Sequence, residues 1–161
     1  MTISKGDRLP EATFLTMTDD GPAPVSTGDY FSGRKVVLFA IPGAFTPTCH
    51  ARHIPSYVEN LDALKEKGVD AVACTAVNDV FVMDAQADAA KAKGRIDFLA
   101  DGNGDFARAI GLDLDASGLG LGLRSHRYAM IVDDGVVTEI FVEENPAEMT
   151  VSGAENVLKA L

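Results

Sequence analysis

Apolar residues along this chain switch between the strand period of two and the helix period of 3.6. Val36 to Ile41 is an unbroken apolar run, the pattern of a central strand covered on both faces. Pro42-Gly43 ends it. The pattern then predicts a helix from Thr46, with Thr46 as N-cap and Pro47 at the first helical position, where a missing N–H costs nothing. That helix runs to about Lys67, stops at Gly68, and is kinked by Pro55. Val69 to Val77 reads as the next strand. Asp79 is placed to cap a helix that runs to about Lys93 and ends at Gly94. Ile96 to Ala100 is a short strand, and Gly104 to Ile110 a short helix closed by Gly111. Arg127 to Val132 and Val136 to Val142 read as a hairpin joined by Asp133-Asp134-Gly135. Ser152 and Glu155 form a capping box for a last helix that reaches the C-terminus.

A strand–helix–strand unit followed by a hairpin and a closing helix is the thioredoxin pattern. The stretch before it adds at least one strand, around Ala12 to Met17. The expected fold is α/β and thioredoxin-like, a central mixed sheet flanked by helices with an N-terminal extension. No repeat or linker divides residues 1–161, so a single domain is expected.

Composition narrows the partners. The chain has 161 residues, 47% of them hydrophobic, enough for a packed core. Its 24 acidic residues against 14 basic give a formal net charge of -10. That surface repels phosphate backbones and anionic membranes, so no nucleic acid and no membrane are expected. A small neutral substrate is not repelled. The start of the chain has no long apolar core or small-residue cleavage site, and a cytoplasmic location is expected. Two cysteines, Cys49 and Cys74, are too few for a disulfide scaffold at this length.

Chemistry concentrates in Pro42-Gly43-Ala44-Phe45-Thr46-Pro47-Thr48-Cys49, which leaves a strand and enters a helix. With Thr46 as cap, Cys49 falls in the first turn. A thiolate there meets unpaired backbone N–H groups and the positive end of the helix dipole. Both favour the anion, which is the nucleophile. The bland alternative is a small buried hydrophobe. Thioredoxins carry a Cys-x-x-Cys pair at this turn; here Thr46 takes the first place, giving Thr-x-x-Cys. A disulfide cannot form across the turn, but a hydroxyl remains to hydrogen-bond a bound oxygen.

The motif Pro42-x-x-x-Thr46-x-x-Cys49 resembles the active-site motif of the peroxiredoxins. Phe39 to Val58 is similar to the type II, or peroxiredoxin-five, subfamily. So are Val77 to Met83, Asp101 to Phe106 and Arg127 to Gly135. These stretches occur in order and span nearly the whole chain. The resemblance implies a thiol peroxidase that reduces hydrogen peroxide and organic hydroperoxides, serving antioxidant defence and redox homeostasis. Cys49 would be the peroxidatic cysteine, passing through a sulfenic acid. Thr46 would hold the peroxide, Pro42 would cover the sulfur, and Arg127 would lie beside it after folding. Read alone, Arg127 is a solvated arginine at a strand end. An external thiol would regenerate the enzyme, either glutathione with glutaredoxin or thioredoxin. No cofactor and no metal are implied.

Other residues carry weaker signals. Cys49 and His53 share a helix face, which suits a Cys–His dyad for acyl transfer. With His50 they form at most an incomplete metal pair, since zinc takes three or four protein ligands. Both histidines are expected at an exposed rim. His126 has no evident role. Cys74 reads as a resolving cysteine or as an inert thiol in a buried strand, the latter favoured. The C-terminal stretch Glu148 to Gly153 lacks the resolving cysteine that some family members carry there. Gly118 to Leu123 misses both phosphate-loop and dinucleotide spacing and reads as a flexible apolar loop over the site's rim. Val80 to Met83, four apolar residues at a helix start, point all around that helix and suggest a homodimer contact, with Phe45 nearby. A thioredoxin-like thiol–disulfide oxidoreductase is the alternative function, and a non-catalytic interaction module a third.

Overall fold

The computed structural model describes all 161 residues. A seven-stranded sheet runs through the molecule in the order β2-β1-β5-β4-β3-β8-β9. Its strands are β1 (Thr13–Thr18), β2 (Gly21–Ser26), β3 (Lys35–Ala40), β4 (Ala71–Ala76), β5 (Asp97–Ala100), β8 (Tyr128–Asp133) and β9 (Val136–Val142). β3, β4 and β5 pair in parallel, and the other pairs are antiparallel, so the sheet is mixed as expected. A two-stranded sheet of β6 (Asp113–Asp115) and β7 (Leu123–Ser125) stands apart.

The apolar run at β3 serves two cores. Val37, Phe39 and Ile41 face one side of the sheet; Val36, Leu38 and Ala40 face the other. This is the alternation of a strand buried on both faces. The first side is covered by α2 (Ile54–Glu59), α3 (Leu61–Glu66), α4 (Val80–Ala89) and α6 (Ala154–Lys159). The second is covered by α1 (Thr27–Phe31), α5 (Asp105–Ala109) and the N-terminal segment. Each large side chain buried this way stabilises the fold by about 1.5–3 kcal/mol relative to leaving it exposed.

Several expectations shift at the element ends. The predicted helix from Thr46 to Lys67 is three pieces. A wide π-type turn over Cys49–His53 leads into α2, and Asn60 separates α2 from α3. In the wide turn the Ile54 N–H reaches back five residues to the Cys49 carbonyl. Pro55 explains it. Proline has no N–H to donate and its ring clashes with the carbonyl four back, and the widened turn takes up the change. Asp79 caps α4 as predicted, accepting from the Val82 N–H at 2.8 Å, but the helix ends at Ala89 rather than Lys93. The capping box at Ser152 does not form: Gly153 is the N-cap of α6, and the Ser152 hydroxyl is spent elsewhere. The hairpin turn is tighter than predicted, with Asp134 and Gly135 both at positive φ (49° and 79°), the backbone of a two-residue turn that follows strand twist.

The two sheet edges are unlike. β2 carries Pro22 and Pro24, which have no N–H to offer a further strand. Two prolines argue against a strand interior, so β2 is not legible as a strand from sequence alone. The opposite edge, β9, is covered over its first half by the N-terminal segment. Gly6 N–H donates to Val137 O at 2.7 Å, Val137 N–H to Asp7 O at 2.8 Å, and Leu9 N–H to Gly135 O at 2.8 Å.

Candidate active site

β3 ends at Ala40 and the chain turns through Pro42–Thr46 before the helical segment that carries Cys49. The Thr46 carbonyl accepts from the His50 N–H at 2.9 Å, so Thr46 does hold the N-cap position. Its hydroxyl, however, donates to the Gly43 carbonyl at 2.7 Å instead of capping the first turn. The Thr48 and Cys49 amides donate to no protein acceptor. They are the orphan donors that a helix start offers to an anion.

The turn itself is held under strain. Phe45 has φ 62°, a left-handed conformation that a bulky residue rarely adopts. Two side chains from beyond the strand fix it. The Phe45 N–H donates to Gln86 Oε1 at 2.7 Å, and the Ala44 N–H to Asn78 Oδ1 at 2.9 Å. Gln86 is fully buried on α4 and its amide also reaches His50 Nδ1 at 3.1 Å. Neither Gln86 nor Asn78 was picked out from sequence, since nothing local marks a partner 34 to 41 residues away.

Arg127 is the centre of the site. It is buried, at the entry to β8, far from the solvated strand end that its sequence alone suggests. Its planar fork makes three hydrogen bonds: Nε to Pro146 O at 2.9 Å, Nη1 to His53 Nδ1 at 2.8 Å, and Nη2 to Cys49 Sγ at 3.0 Å. A guanidinium only donates, so His53 Nδ1 accepts. The His53 proton then sits on Nε2 and is given to Ser152 O at 3.1 Å. Burial, and then the Arg127 charge, hold the His53 pKa down to about 3, which keeps the ring neutral. His53 is therefore a buried partner of the arginine, which corrects its expected place on an exposed rim; its ring lies against Phe39, centroids 4.9 Å apart. His50 is exposed as expected.

Glu143 was missed altogether. It follows β9 and is buried, with no cation on it. Its carboxylate accepts from the Thr150, Val151 and Ser152 amides at 2.7–3.0 Å and from the Thr150 and Ser152 hydroxyls at 2.7 and 2.6 Å. Burial acts to raise its pKa, but the hydrogen bonds from Ser152, Thr150 and Val151 together win and hold it at about 2. Sequence offers no sign that distinguishes Glu143 from Glu144.

The remaining predicted residues fall as follows. Pro42 is half-buried directly after β3, and Cys49 has no exposed surface. Cys74 is in the middle of β4, paired between Phe39 and Phe98, and belongs to the same core as Cys49. Burial first, and then Cys49, push its thiol well above the ordinary 9.0. It is thus a neutral thiol at physiological pH. The Gly118 to Leu123 segment is not a free loop: a 3₁₀ turn and β7 occupy it, and Leu123 packs where a side chain on Gly104 would stand. It does lead to Arg124, whose guanidinium lies close to Gly43 and donates to Val77 O at 3.2 Å.

This arrangement suits a sulfur nucleophile acting on a small electrophile. A fixed cation meets the sulfur, two backbone amides at the helix start are unpaired, and the cysteine has no exposed surface.

Comparison with known proteins agrees. The Redoxin family model matches residues 4–158. Rice chloroplastic peroxiredoxin-2E-2 is 46% identical over 165 residues, covering 99% of this chain and 73% of that protein. Peroxiredoxin-2B of Arabidopsis thaliana is 42% identical over 160 residues, covering 99% and 98%. Among solved structures, reduced Prx3 of Vibrio vulnificus in complex with H2O2 superimposes with TM-score 0.94 at 49% identity, over 99% of each chain.

Proposed function

The chain belongs to the peroxiredoxin family, and from that premise we propose that Cys49 is its peroxidatic cysteine. As a peroxiredoxin it is a thiol peroxidase that acts on peroxide and is reduced again by thiol partners. The observation that carries the assignment is the Arg127 Nη2–Cys49 Sγ hydrogen bond of 3.0 Å. The thiolate attacks one peroxide oxygen. An S–O bond forms, the O–O bond breaks, and the other oxygen leaves with a proton as water or alcohol. Cys49 becomes a sulfenic acid, two electrons more oxidised.

The supporting residues take distinct parts. The Arg127 guanidinium stabilises the thiolate and the charge that develops along the O–O bond. The Thr46 hydroxyl already gives its proton to Gly43 O, so its lone pairs are free to accept from the peroxide O–H. The Thr48 and Cys49 amides, unpaired at the helix start, offer two further donors. Pro42 shields the sulfur and keeps the site dry. The decisive experiment is to add H2O2 to the reduced protein and follow Cys49 by mass. Rapid formation of a sulfenic acid supports the reading, and a thiol modified no faster than free cysteine sinks it.

The reductant we propose is an external thiol, glutathione with glutaredoxin, with thioredoxin second. The neutral, strand-bound Cys74 is poorly placed to resolve the sulfenic acid. A panel of the two reducing systems, read as sustained peroxide turnover, distinguishes them. A stoichiometric Cys49–Cys74 disulfide after peroxide treatment overturns the external-thiol reading. Two free thiols fit a reducing compartment, and the cytoplasm is the one proposed here; localisation of a tagged full-length chain tests it.

We further propose that the chain folds as one domain and pairs as a homodimer. Phe81 is 65% exposed, Phe45 49% and Leu15 43%, which is unusual for large apolar side chains. Leu15 and Phe81 line one shallow hollow with Val80. A two-fold contact over this face would cover them and shield the Cys49 turn. Sedimentation of reduced protein at low micromolar concentration is the test. The outcome in favour is a dimer that Phe81→Asp splits; a fully active wild-type monomer counts against it.

A further inference from the structure

The arginine that touches Cys49 is itself aimed by other groups. Of its three acceptors, Pro146 O lies directly on the loop that joins β9 to α6. His53 is tied to the same loop, since its Nε2–H ends on Ser152 O, which also accepts from the Tyr57 hydroxyl at 2.7 Å. The segment that carries Cys49 is attached there too, by the Thr48 hydroxyl on Ala147 O at 2.6 Å. Three carbonyls of one irregular loop thus hold the arginine, the histidine and the cysteine segment.

Such a loop needs an anchor, and the structure shows one. Glu143 gathers the three amides and two hydroxyls of Thr150–Ser152, and its own N–H donates to the Arg127 carbonyl at 2.9 Å. Burying a carboxylate without a cation is costly, and only a full set of donors offsets it. A loop that merely needed closing could use a neutral side chain. Here the carboxylate holds the amide and hydroxyl of Ser152, the residue whose carbonyl meets His53.

We propose that Glu143 is a positioning residue for peroxide reduction: it sets the β9–α6 loop so that Pro146 O and Ser152 O, the latter through His53, aim the Arg127 guanidinium at Cys49. The proposal rests on the assignment of Cys49 and Arg127 above. Geometry gives its scale. The guanidinium fork is rigid, so a shift of its acceptors turns the whole plane. Misplacement of a catalytic group by about 1 Å can cost on the order of a hundredfold in rate.

The test is a double-mutant cycle on the full chain, read as the rate of Cys49 oxidation by H2O2 and the pH profile of Cys49 alkylation. Glu143→Gln keeps the shape but loses the charge and one acceptor. Its oxidation rate is expected to fall about tenfold or more, with the alkylation profile moved to higher pH. In an Arg127→Ala background the same change is expected to add less than about twofold, because the group it aims is gone. Glu143→Gln protein that melts lower but keeps the wild-type rate and pH profile overturns the proposal. So do effects that multiply in the double variant. If Glu143→Gln does not fold, Ser152→Ala removes one donor and keeps every carbonyl. A smaller loss of rate with the same pH shift then supports the proposal, and wild-type behaviour refutes it. Arg127→Ala with unchanged oxidation would instead defeat the site assignment itself, so the two failures are told apart.

Discussion

The Arg127 guanidinium is held from three directions, by Pro146, His53 and Cys49. On the role proposed for it, removing it takes a preorganised donor away from Cys49. Arg127→Ala is expected to slow Cys49 oxidation by about a hundredfold or more, and to move the reactivity of the thiol to higher pH. Stopped-flow oxidation and alkylation against pH check both; no change in either rules out its role. The two cysteines contrast sharply. Cys49→Ser is expected to abolish peroxidase activity, whereas Cys74→Ser is expected to leave the first oxidation burst intact, because burial keeps the Cys74 thiol neutral. Equal loss of the burst in both variants contradicts this. Of these residues, Cys49, Thr46 and Pro42 could be proposed from sequence because they lie in one contiguous motif. Arg127 needed the family resemblance, since 78 residues separate it from the sulfur. His53 was seen to share a helix face with Cys49 and still misplaced, because its burial is decided by Phe39 and by the loop at Ser152. Glu143 left no local trace at all.

At the scale of elements, local chemistry was readable wherever it was self-contained. The β3 run, the Asp79 cap and the turn before Val136 each depend on neighbours in sequence; the first two stand where expected, and the turn is one residue tighter. Asp79→Ala removes the bond to the Val82 N–H and is expected to destabilise the protein by about 1 kcal/mol, measured by urea unfolding. An unchanged midpoint counts against the cap. Where a side chain had two possible partners, sequence misled. Ser152 has the spacing of a capping box with Glu155, yet the buried carboxylate of Glu143 is the stronger acceptor and takes it. The wide turn at Cys49–His53 was visible only as a proline inside a helical pattern, which announces a disturbance without giving its form.

For the whole molecule, two buried groups with lowered pKa values work against stability in acid. His53 titrates at about 3 in the fold against an ordinary 6.5, and Glu143 at about 2 against 4.5. Both values are lowered, so the unfolded chain takes up protons first as pH falls. Stability associated with His53 is full above about 6.5 and is lost on the way down to 3; that of Glu143 is full above 4.5 and lost towards 2. Each group contributes a slope of about 1.4 kcal/mol per pH unit inside its window. Urea unfolding from pH 8 to pH 4 is expected to show stability falling below pH 6.5, and His53→Asn to flatten that part of the curve. A wild-type curve flat across that range contradicts the buried neutral histidine. The two sheet edges bear on a different matter, how the protein tolerates crowding. An open strand edge is a template for endless addition of further copies. Here the prolines of β2 withhold the donors at one end, and residues 6–9 occupy the first half of β9 at the other. Growth into a fibre by sheet extension is obstructed at both ends, so even densely packed copies have no free strand ladder on which to add.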